Sequence, residues 1–63
     1  MDVGSRLRSF RGKKSQRQVA DDLGITLSAY SKYERNERVP RDGLKVKIAD
    51  YYKTTVGEIF FGS

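Results

Sequence analysis

The side chains able to do chemistry fall into two sets, one polar and basic, the other acidic. Between positions 26 and 35 the first set runs Thr26, Leu27, Ser28, Ser31, Lys32 and Arg35, broken by Ala29, Tyr30 and Tyr33. At helical spacing Tyr30 and Tyr33 share one side, which leaves Leu27, Ser28, Ser31, Lys32 and Arg35 on the other. Hydroxyls, an ammonium and a guanidinium on one exposed helix face are the groups that meet base edges and phosphates. In a groove, Leu27 can pack on a thymine methyl, Ser28 can donate or accept at a base edge, and Lys32 can reach a guanine or a phosphate. Residues 6 to 17 add Arg6, Arg8, Arg11, Lys13, Lys14 and Arg17 with no acid among them, in a chain of net charge +5. Such a surface attracts phosphate through counterion release; the plain alternative is a solvated basic face.

The acids support no catalytic reading. Asp21 and Asp22 are adjacent, so on a helix they do not face each other, and they are expected to be solvated. The chain has no His and no Cys, no glycine-rich phosphate loop, and little length from which to form a pocket. The expectation is therefore no enzyme, no metal, no cofactor and no small-molecule substrate. No apolar run approaches the roughly 20 residues needed to cross a bilayer, and the N-terminus has no signal-peptide core. A soluble cytoplasmic protein without membrane contact is expected.

The elements that must position these groups are short helices in one domain over 1–63. A chain of 63 residues with no cysteine must hold itself by helix packing alone, burying only roughly 60% of its unfolded surface. Ser15 and Gln18 make a capping box that opens a helix whose Val19, Ala20 and Leu23 face inward. Gln16 stands in its first turn beside Arg17, where unpaired N–H groups can meet a phosphate. Gly24 is placed to end that helix left-handed, Ile25 points back to the core, and Thr26 caps the next helix. Two helices joined so tightly form a helix-turn-helix, the second helix, about residues 27–35, facing a groove. Upstream, Asp2 caps a helix over 2–11 with a core stripe of Val3, Leu7 and Phe10, ending at Gly12. Downstream, Pro40 precedes a helix over roughly 42–52 with Leu44, Ile48, Ala49 and Tyr51 or Tyr52 inward and Lys45 and Lys47 solvated. Thr55 and Glu58 make a second capping box for a last helix carrying Val56, Ile59 and Phe60. Phe61 is left over, either terminal core or the seam of a dimer.

Gln16, Val19-Ala20, Leu23-Gly24-Ile25-Thr26, Tyr33-Glu34-Arg35-Asn36 and Pro40 resemble the pattern of the Cro/repressor-type helix-turn-helix, the XRE family. The likeness continues through Ile48-Ala49-Asp50-Tyr51-Tyr52 and Thr55-Val56-Gly57-Glu58-Ile59-Phe60, so it covers nearly the whole chain. It implies an all-α, five-helix, lambda-repressor-like DNA-binding domain with the helix-turn-helix at helices 2 and 3. It implies a sequence-specific, repressor-like regulator of transcription bound to double-stranded DNA as a homodimer. Base contacts would come from Leu27, Ser28, Ser31, Lys32 and Arg35, and phosphate contacts from Gln16, Arg17, Thr26, Asn36, Arg38 and Arg41. Arg11 would pair with Glu34. The sequence departs from the pattern in its short Gly12–Ser15 connection, in Asn36 where Gly is usual, and in Lys53 where Gly is frequent. The same fold also serves as a protein-interaction module, such as an antitoxin or an anti-repressor, and that is the alternative function.

Overall fold

The computed structural model describes residues 2–62; Met1 and Ser63, the ends of the expected 1–63 domain, lie outside them. Five helices follow in order: α1 (Val3–Arg11), α2 (Gln16–Leu23), α3 (Leu27–Glu34), α4 (Asp42–Tyr51) and a last π-type turn, α5 (Gly57–Phe61). The fold is all-α, with no strand among the described residues.

Local chemistry sets most of the helix ends. Asp2, Ser15 and Thr26 each accept a backbone N–H three residues on, at 2.8, 3.0 and 3.0 Å, which satisfies a first-turn donor. Gly12 and Gly24 close α1 and α2, Gly24 with φ 74°. Asn36 and Lys53 also adopt positive φ, 61° and 57°. Asn tolerates this conformation well, whereas Lys holds it at some strain. Both expected capping boxes are half formed. Gln18 is exposed, while the Glu58 carboxylate accepts from the Thr54 hydroxyl at 2.9 Å. Thr55 still accepts the Glu58 N–H at 3.1 Å.

One core joins all five helices: Leu7 from α1, Val19, Ala20 and Leu23 from α2, Tyr30 and Tyr33 from α3, Ile48 and Ala49 from α4, Ile59 and Phe60 from α5. Ile25, Leu44, Tyr51, Tyr52 and Val56 pack around it. Two expectations are corrected. The buried side of α1 is centred on Gly4 and Leu7, with Arg11 beside them, rather than on Phe10. Gly4, Leu7 and Arg11 lie three and four apart and so face α3 together, while Phe10 stays 39% exposed and stacks on Tyr52 at 5.8 Å. Lys45 is not solvated along its length; its side chain is 16% exposed and its Nζ sits 5.7 and 5.4 Å from the Phe60 and Phe61 rings. Its stem covers apolar surface while the charge faces the rings.

Candidate nucleic-acid interface

The candidate interface is held from behind by Glu34, the last residue of α3. Its side chain is only 1% exposed, yet it carries a charge. Arg11 answers it with a two-pronged contact, Nε to Oε2 at 2.7 Å and Nη2 to Oε1 at 3.1 Å. Gln16 Nε2 donates to the same Oε1 at 2.9 Å. Burial alone pushes the carboxyl pKa up, but hydrogen bonds from Arg11, Gln16 and Tyr30 outweigh that and hold it below the ordinary value. The Tyr30 and Tyr52 hydroxyls meet at 2.6 Å, and burial first, then this network, pushes the Tyr30 phenol far above its usual range. The expected Arg11–Glu34 pair is thus formed, and it is extended by residues from α2, α3 and the end of α4.

With its inner side held by Tyr30, Tyr33 and Glu34, α3 turns Leu27, Ser28 and Arg35 to solvent, and Ser31 and Lys32 are half-buried rather than fully exposed. Thr26 is exposed at the cap. Arg35 is not free: its Nε lies 3.0 Å from Glu37 Oε2. Arg38 and Arg41 are exposed on either side of a buried Pro40, which anchors the loop between them. Arg17 is exposed beside Gln16.

Three polar side chains have partners that the sequence did not name. Asn36 is exposed, and its Oδ1 accepts the Gly4 N–H at 2.9 Å. Lys14 Nζ donates to Tyr51 Oη at 3.0 Å, and Tyr51 donates onward to Asp22 Oδ2 at 2.6 Å. Asp22 is therefore hydrogen-bonded rather than merely solvated. Gly4 is the residue the sequence reading missed. A Cβ there would overlap the Glu34 carbonyl oxygen and meet Asn36 Nδ2 at 2.9 Å, so α1 crosses the end of α3 at backbone distance. A glycine inside a helical pattern is itself a signal of close packing.

A buried, cross-braced helix presenting polar and basic groups after a tight turn defines the helix-turn-helix class. The model of the helix-turn-helix family matches residues 7–59, and the chain belongs to that family, in its XRE type. It is 39% identical over 61 residues to the cryptic phage CTXphi transcriptional repressor RstR of Vibrio cholerae serotype O1. That alignment takes in 94% of this chain and 54% of the relative, so the chain spans about half the relative's length. No solved structure matches it.

Proposed function

We propose that the chain is a repressor-like, sequence-specific regulator of transcription that binds double-stranded DNA, with α3 lying in the major groove. Leu27, Ser28, Ser31, Lys32 and Arg35 face the bases. Arg17, Thr26, Arg38 and Arg41, with the open first turn of α2 at Gln16, grip the phosphates on either side. One eight-residue helix offers a small footprint, so two copies act on a near-palindrome with half-sites about one helical turn apart. The observation that carries the reading is the division of α3 into a locked inner side and a solvent-facing outer side, flanked by exposed arginines at both ends. The relative's role as a transcriptional repressor supports the same reading.

The test is selection of bound duplexes from a random pool with the purified chain. Enrichment of one near-palindromic site is expected. A pool that stays random after repeated rounds overturns sequence-specific binding and leaves the interaction-module reading in its place.

A further inference from the structure

Glu37 is an exposed acid set among Arg35, Arg38 and Arg41, where a duplex phosphate would repel it. Stability gives it little reason to be there. The Arg35 and Glu37 side chains are 56% and 53% exposed, and a pair so open to water contributes little to folding. The backbone beneath the pair is nevertheless pinned. At the end of α3 the Glu37 N–H returns to Lys32 O at 2.9 Å and the Asn36 N–H to Tyr33 O at 3.2 Å. Asn36 is left-handed between them, which completes a Schellman closure. Arg35 and Glu37 therefore leave a fixed frame from either side of one residue.

Glu37 takes one edge of the Arg35 guanidinium. Its Oε2 lies 3.0 Å from Nε, and its Oε1 accepts from Nη2 at 3.5 Å. A guanidinium is a rigid plane whose N–H groups point in fixed directions. The edge that Glu37 does not occupy is formed by Nη1 and Nη2, with two parallel N–H groups. In the major groove two adjacent acceptors, O6 and N7, are offered by guanine alone among the bases.

We propose that Glu37 is a positioning residue that turns the outer edge of Arg35 to a guanine in each half-site, making Arg35 a reader of that base rather than a grip on phosphate. This rests on the DNA-binding reading above. Arg35 lies about 12 Å along α3 from Leu27, so the guanine falls toward the end of the half-site away from the base beneath Leu27. Removing the carboxylate then has two opposed effects. It takes a negative charge from beside the duplex, which tightens every sequence, and it lets the guanidinium turn, which erases the preference for guanine.

The experiment uses the duplex recovered from the random pool, the same duplex with each base pair of one half-site exchanged in turn, and a scrambled duplex, at one salt concentration. The wild-type chain is measured beside Arg35→Ala, Glu37→Ala and Glu37→Gln, the last keeping the length without the charge. Thermal melting confirms that each variant is folded; if Glu37→Ala is not, Glu37→Gln carries the test. The expected result is one guanine whose exchange costs the wild type roughly tenfold and costs each variant less than about threefold. Both Glu37 variants should also hold the scrambled duplex about twofold more tightly. A guanine preference kept or sharpened in the Glu37 variants, or an Arg35→Ala loss equal on every duplex, overturns the proposal and leaves DNA binding standing. A pool that enriches no site overturns the functional reading, and the proposal with it.

Discussion

A carboxylate with almost no solvent contact is costly unless its lone pairs are answered, and Glu34 is answered by Arg11 from α1 and Gln16 from α2. Removing one partner strands the charge, which is worse than never having had the pair. Arg11→Ala should therefore destabilise the chain by roughly 2–4 kcal/mol in urea unfolding, somewhat discounted because the Arg11 side chain remains 20% exposed. The same carboxylate sets the acid limb. The folded pKa of Glu34 lies below the ordinary 4.5 of a glutamate, so the unfolded chain binds the proton first and stability rises with pH there. The contribution is present above about pH 4.5 and is lost as pH falls through the lower folded value. The Arg11→Ala variant should show a flatter melting temperature between neutral and acid pH than the wild type; parallel curves would refute the assignment. Asp2 adds to the same limb, its carboxyl held low first by the Ser5 backbone N–H and then by Asn36.

At the scale of elements, α1 meets α3 at Gly4. A methyl group there must displace backbone, not a flexible side chain, and overpacking of that kind costs about 1–3 kcal/mol. In α4, a methyl group added at Gly43 would meet nothing within 4 Å, and the backbone there is helical, so alanine should gain about 0.5 kcal/mol. Opposite signs for Gly4→Ala and Gly43→Ala in urea midpoints are expected. Two signs alike would contradict the packing described. The contrast also marks what the sequence makes legible. The Asp2, Ser15 and Thr26 caps, the left-handed Gly24 and the inward tyrosines follow from local chemistry and are observed. The rotation of α1 toward Gly4 is not local: three inward apolar residues suggest a stripe through Phe10, and only the approach of α3 selects the glycine side. The partners of Lys14 and Asn36 are not legible locally, because Tyr51 and Gly4 stand 37 and 32 residues away. The outward groups of α3 are legible by subtraction, once the inward ones are known.

For the whole molecule, the excess of 13 basic over 8 acidic side chains sets how binding responds to ions. If Arg17, Arg38 and Arg41 each neutralise a phosphate, the logarithm of affinity should fall with the logarithm of salt at a slope near −3 per protomer, from about 0.9 per phosphate. Arg38→Ala should lower that slope by about 1 and weaken all duplexes similarly. A flat titration would rule out phosphate gripping by these arginines.

The crossing of three helices at one buried carboxylate also decides what is portable. Under the proposed docking, the outer positions 27, 28, 31, 32 and 35 are the ones to rewrite for a new operator while Tyr30, Tyr33 and Glu34 keep their seats. Residues 16–34 lifted into a foreign scaffold would carry Glu34 without Arg11, and the graft would arrive with a carboxylate stripped of its counter-charge. The portable unit of this chain is therefore the whole globule, since α3 depends on Arg11 of α1.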